Sequence, residues 1–235
     1  MRLFDLNSPL MDALRKFSDI VFYNLLFCLF SLPVVTAGAS LCALCEGMQK
    51  LAAGEDSDLP VFRTFWGTFK RTFKRATILW FICIFGYFFL SSLQYAAVTL
   101  SGGAVGTSYM VTFYAMTLLL VFGFQNLFPS LARWQDLGVV ALLFRTYLVA
   151  GVGFPWTILG ILCTGVFSYV TLGMNMNVFR FGLFLWAVCG FGIVTYLSSF
   201  FFLRAAAGYE KQQEVLQAQK QAAEETKENT AEKSE

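Results

Sequence analysis

The chain alternates long uninterrupted apolar runs with short polar connections. Five runs reach the length a membrane-crossing helix needs, about 20 residues at ~1.5 Å each through a hydrocarbon layer ~30 Å thick. They cover about Ile20 to Cys45, Ala76 to Val98, Tyr109 to Phe128, Tyr147 to Val170 and Phe181 to Leu203, and none contains a charge. The runs are about twice the length of a barrel strand and lack its alternation of inward and outward residues, so they predict helices. The expected architecture is an all-α polytopic membrane bundle of about five transmembrane helices with interfacial amphipathic helices on its cytoplasmic side. Residues 1–19 form an amphipathic lead-in, 20–204 the transmembrane domain and 205–235 a polar tail. The Ala, Gln, Glu and Lys of the tail predict that its first two-thirds extend the fifth helix and that the last ten residues are disordered. Tyr209, Leu216 and Ala223 recur every seven residues, over too few heptads for a coiled coil.

Proline punctuates the pattern. Ser8 before Pro9 reads as an N-cap with proline at the first helical position. Pro33 lies in the middle of the first run, where proline removes one backbone hydrogen bond. The preferred reading is a kinked single span. The alternative is a re-entrant hairpin of Ile20 to Leu32 and Val34 to Cys45 with the N-terminus inside. Pro129 is expected to stop the third span. Acidic residues precede the first apolar run, unlike a secretory signal.

Lysine and arginine set the orientation, because short cytoplasmic connections carry the excess. Lys50, Arg63, Lys70, Arg71, Lys74 and Arg75 lie between the first two spans, Arg133 and Arg145 between the third and fourth, and Arg204 with four lysines after the fifth. The opposite face has the uncharged Thr99 to Ser108 and, in Thr171 to Arg180, a single arginine. A cytoplasmic C-terminus follows.

Within Val61 to Arg75, Phe62, Phe65, Trp66, Phe69 and Phe73 fall on one helical face, and Arg63, Lys70, Arg71, Lys74 and Arg75 take the other positions. An aromatic stripe beside a basic stripe predicts an interfacial helix on the anionic cytoplasmic leaflet. These residues are therefore candidate contacts for lipid or a partner. Asn126 to Arg145 is expected to be a second such element, with Arg133 and Asp136 three apart and able to pair.

Composition narrows the chemistry. The chain is 57% hydrophobic and 14% charged with mean hydropathy +0.62, against roughly 25% charged in a soluble domain. It contains no histidine, which excludes imidazole acid–base relays and His-based metal sites. Cys42 and Cys45 form a Cys-x-x-Cys inside an apolar run with no second such pair, so they read as buried packing residues rather than redox or zinc ligands. Gly102 and Gly106 have the helix-dimer spacing but fall in an expected loop. Phosphate-binding loops, nucleophile elbows and dinucleotide fingerprints are absent. No catalytic residue, cofactor, metal or nucleic-acid site is expected, and the chain reads as non-enzymatic. Asn24, Gln94, Gln125 and Asn126 are the candidate intramembrane polar site. No expected span buries an ionisable group, which disfavours a coupled transporter acting alone.

Five stretches together resemble the YesL family of small bacterial integral membrane proteins. They are Asn7-Ser8-Pro9-Leu10-Met11, Ser31-Leu32-Pro33-Val34-Val35-Thr36-Ala37-Gly38-Ala39-Ser40, Phe69-Lys70-Arg71-Thr72-Phe73-Lys74-Arg75-Ala76-Thr77, Leu127-Phe128-Pro129-Ser130-Leu131-Ala132-Arg133-Trp134 and Tyr196-Leu197-Ser198-Ser199-Phe200. The resemblance spans roughly residues 4 to 210. It implies a bacterial plasma-membrane protein without an assigned activity, encoded in many genomes beside carbohydrate ABC-transporter genes. The expectation is an accessory or regulatory component of sugar uptake that contacts permease subunits; the alternative is a small-molecule carrier or channel.

Overall fold

The computed structural model describes residues 9–55, 60–99, 104–172 and 176–232. Among them there is no strand. The helices are α1 Pro9–Ser31, α2 Ala37–Ala53, α3 Val61–Thr99, α4 Ala104–Arg133, α5 Val139–Val152, α6 Phe154–Leu172, α7 Met176–Leu185 and α8 Phe191–Glu232, with a π-helical turn Trp186–Gly190 joining the last two. Among the described residues, four helices are long and apolar enough to cross a membrane, over Val61–Ala96, Gly106–Arg133, Phe154–Thr171 and Gly182–Ala222. Their outward surfaces carry large exposed apolar residues such as Phe85, Leu118, Leu162 and Phe184, which a protein in water buries and a protein in lipid does not.

The first expected span is corrected. Ile20 to Cys45 is not one kinked helix, because the chain turns back at Leu32–Thr36 and α1 packs beside α2. Pro33 cannot donate to the preceding turn. The Thr36 hydroxyl donates to Phe30 O at 2.6 Å and Pro33 O at 2.8 Å, and Thr36 N to Pro33 O at 3.0 Å. Those bonds satisfy carbonyls that a continuous helix would have paired internally. Antiparallel pairing shows at Gly47, where a Cβ would lie 2.3 Å from the Tyr23 ring. The hairpin, the less favoured reading of Pro33, is the one observed.

Helix α2 is the axis of the bundle. It packs against α1, α3, α4 and α8, and from Gly38 to Gln49 every residue except Leu41 is buried. Its small residues permit this, since close backbone approach between apolar helices needs Gly, Ala or Ser at the contact. A Cβ on Gly38 would stand 2.7 Å from Ala76 O and from the Trp80 Cβ. Cys42 and Cys45, at 0% and 3% exposure, lie in the same tightly packed core.

Further boundaries differ from expectation. Pro129 does not stop α4, which runs on to Arg133 with the proline inside it; its ring still removes one bond of that helix. The fourth span begins at Phe154 rather than Tyr147, because Tyr147 belongs to the shorter α5. Gly153 N to Val149 O and Thr157 N to Gly153 O, both 2.9 Å, bridge the junction at Pro155, so α5 and α6 meet at a kink. Residues 126–145 are the end of α4, a turn and part of α5 rather than one interfacial helix. Gly106 lies within α4, whereas Gly102, Asn7 and Ser8 fall outside the described residues. Helix α8 continues to Glu232, into the stretch whose composition predicts disorder.

Candidate functional site

The basic-aromatic segment Val61 to Arg75 is the first four turns of α3, continuous with its span. At 39 residues α3 is about 58 Å long, well beyond a ~30 Å hydrocarbon layer. The helix is therefore not an interfacial anchor lying flat. Its aromatic stripe faces protein: Phe65 is fully buried and Phe69 7% exposed. Phe30 of α1 meets Phe65, Trp66 and Phe69 with ring centroids 5.7, 5.4 and 5.4 Å away. Only Phe62 and Phe73, at the edges of the stripe, are exposed.

The opposite side of this segment meets a residue that sequence reasoning passed over. Glu46, one position beyond the first apolar run, is 8% exposed on α2. Its Oε1 accepts from Lys50 Nζ at 2.8 Å, and its Oε2 from Thr68 Oγ1 at 2.8 Å, Gln135 Nε2 at 2.8 Å and Arg71 at 3.1 Å. Arg75 donates to the Gln135 carbonyl, and Gln49 Nε2 donates to Pro129 O at 2.9 Å. One carboxylate thus ties α2, α3 and the α4–α5 turn together. A buried carboxylate needs such a complement, because desolvation without it costs several kcal/mol. The signal in the sequence was a lone acid among small residues four positions before Lys50, a spacing that allows a helical ion pair.

Of the candidate contacts, Arg71 and Arg75 are engaged in this network. Lys70 lies over the Trp66 ring at 5.0 Å, and Arg63 and Lys74 are exposed. The expected pair of Arg133 with Asp136 does not form. Arg133 instead makes a bidentate bond to Glu210 of α8, Nε to Oε1 at 3.0 Å and Nη2 to Oε2 at 3.1 Å. Asp136 is exposed in the turn after α4, where its side chain no longer shares a helical face with Arg133.

The four intramembrane polar residues do not converge. Asn24, fully buried on α1, donates to Ala187 O at 2.7 Å and accepts from Gly192 N at 2.8 Å. It clamps the π-helical turn, whose irregular ladder leaves backbone groups needing partners. Gln94 is exposed on α3. Asn126 is buried and bonds Phe122 O of its own helix at 3.1 Å. Gln125 and Asn126 both line a small space between α4, α6 and α8, and Gln125 donates to Ser198 Oγ at 2.9 Å, which meets Thr164 Oγ1 at 3.3 Å. This polar trio borders a cavity of about 310 Å³ otherwise walled largely by aromatic and aliphatic side chains, including Phe27, Trp80, Phe128 and Trp186. A second groove of about 470 Å³ between α3, α4 and α5 is lined mainly by apolar side chains, among them Ile82, Leu90, Met116 and Leu120.

Comparison with known proteins adds a family of unassigned activity. A family model described as "Protein of unknown function, DUF624" matches residues 20–92, which run from α1 through the hairpin into the span of α3 and include Glu46, Lys50, Thr68 and Arg71. The match covers 73 of 235 residues. No curated protein and no solved structure matches the chain.

Proposed function

We propose that this chain is a non-enzymatic accessory or regulatory subunit of the bacterial plasma membrane that docks a partner membrane protein through its basic face. The carrying observation is the Glu46 hub. It spends a buried carboxylate on fixing the starts of α3 and α5, and Arg63, Lys70 and Lys74 project from the same segment. A charged platform held together at one end of a lipid-facing bundle suits docking. The first turns of α3, the end of α4 and the middle of α8 are tied by Arg75 with Gln135 and by Arg133 with Glu210, so these basic segments share one side. The excess of Lys and Arg there supports a cytoplasmic placement with the C-terminus inside. Because α1 and α2 form a hairpin, the start of α1 lies on that side too.

The resemblance to YesL proteins supports permease subunits of carbohydrate ABC uptake as the partner, and the anionic leaflet as the surrounding surface. Affinity capture of the intact chain in mild detergent tests this. A permease is expected to co-purify, and to be depleted when Arg63, Lys70 and Lys74 are all replaced by glutamine. Absence of any transporter subunit above background from a strain grown on sugars refutes the docking role.

A carrier is the second reading, favoured by the cavity beside Gln125, Ser198 and Thr164. Its mostly apolar wall offers a free sugar too few hydrogen bonds. Flux into proteoliposomes by the purified chain, abolished in Gln125→Leu, would establish the carrier; no flux would refute it.

A further inference from the structure

Arg133 at the end of α4, Arg145 in α5 and Glu210 in α8 form an unbalanced charge set. The Trp134 indole has two guanidinium groups against it, Arg145 at 4.1 Å and Arg133 at 6.0 Å from the ring centroid. Glu210 neutralises Arg133 through two hydrogen bonds. For Arg145 no carboxylate lies within ion-pair distance among the described residues. Its other aromatic contact is Tyr209 at 5.3 Å, and its Nε is buried with no hydrogen-bond partner. Two like charges stand against one ring and only Arg133 has a counter-ion, which leaves a net positive site that a second anion would complete.

The surroundings of Arg145 identify the anion. It interrupts the otherwise uncharged helix α5, and on the same helix Val140, Phe144 and Leu148 are exposed at 81%, 68% and 37%. A cation set among lipid-facing apolar side chains, with Trp and Tyr against it, lies where phospholipid phosphates lie. Guanidinium presents its planar fork of N–H donors to phosphate oxygens two at a time. We propose that Arg145, supported by Trp134 and Tyr209, binds the phosphate of one anionic phospholipid. The site is separate from the α3 platform and stands whether or not that platform docks a permease. It also accounts for an arginine beside the exposed apolar face of α5, where an unpaired charge is costly.

The test uses the intact chain in mild detergent, titrated with phosphatidylglycerol or phosphatidylcholine and read by native mass spectrometry. The expected result is one retained phosphatidylglycerol per chain, with about a fivefold preference over phosphatidylcholine. Arg145→Gln should reduce that ratio to about one, and Arg145→Lys should keep part of it. Lys211→Gln, at an exposed charge on α8, should leave it unchanged. Equal binding of the two lipids to the wild-type chain overturns the site without reliance on any variant. A loss in Lys211→Gln as large as in Arg145→Gln shows diffuse attraction instead. Displacement of the lipid by equimolar inorganic phosphate assigns the site to a soluble anion and refutes the lipid.

Discussion

Replacing Glu46 by glutamine keeps the volume of the hub and removes its charge, which makes it the most informative single perturbation of the core. All four side chains around the carboxylate donate to it: Lys50, Thr68, Arg71 and Gln135. An amide offers one acceptor oxygen where the carboxylate offers two, and its NH₂ must point at donors in either orientation. A fully buried ion pair that loses one partner costs ~3–5 kcal/mol, but two features lower the figure here. The Arg71 and Lys50 side chains are 58% and 36% exposed, so water takes over much of their solvation and each pair contributes under about 1 kcal/mol. The two uncharged donors also keep carbonyl acceptors, Thr68 to Thr64 O at 3.1 Å and Gln135 to Ala132 O at 2.8 Å. What remains is the loss of two exposed pairs at under about 1 kcal/mol each plus one donor–donor contact, about 2–3 kcal/mol in total. For a chain of this size that corresponds to a melting temperature lower by about 5–10 °C. Cys42 and Cys45 provide the readout, since both are buried on the same helix and react with a thiol-specific fluorophore only when α2 is released. An unchanged melting curve for Glu46→Gln would refute the hub as a stabilising element; failure to fold at all would show that the discount for exposed partners is wrong.

Asn24→Leu removes a fully buried amide that serves both Ala187 O and Gly192 N, and should cost about 1–3 kcal/mol, with faster hydrogen exchange confined to residues near 186–192. Unchanged protection there would mean that the π-helical turn holds itself. Gly47→Ala places a Cβ 2.3 Å from the Tyr23 ring and should destabilise by about 1–3 kcal/mol. Pairing it with Tyr23→Leu should recover much of the loss, and a purely additive double variant would contradict the contact. In a background lacking native cysteines, cysteines placed at Asp12 and Glu214 should both react with an impermeant maleimide from the same side of the membrane. Labelling from opposite sides would restore the kinked single span in place of the hairpin.

The apolar runs made the membrane-helix class legible, because length and the absence of charge are properties of a single segment. What one segment cannot show is its partner. Kinking and reversing at Pro33 both begin with the same missing N–H; the Thr36 hydroxyl and the small residues facing Tyr23, Ala76 and Trp80 favour reversal. The same limit misassigned the aromatic stripe. Phe65 and Phe69 have the periodicity of a surface that is buried against something, and lipid headgroups and Phe30 of α1 satisfy that periodicity equally well. Arg133 shared a helical spacing with Asp136, yet bonds Glu210, which is 77 residues away along the chain. Glu46 was passed over for the converse reason: a lone acid looks like the polar edge of a span until the donors from α3 and the α4–α5 turn are brought to it. Candidate polar sites fared worst. Asn24 and Asn126 spend their amides on backbone, and in a bundle without water a buried amide must do so or face a partner. Gln125 instead meets side chains of α6 and α8, the other kind of partner open to an amide inside the bundle.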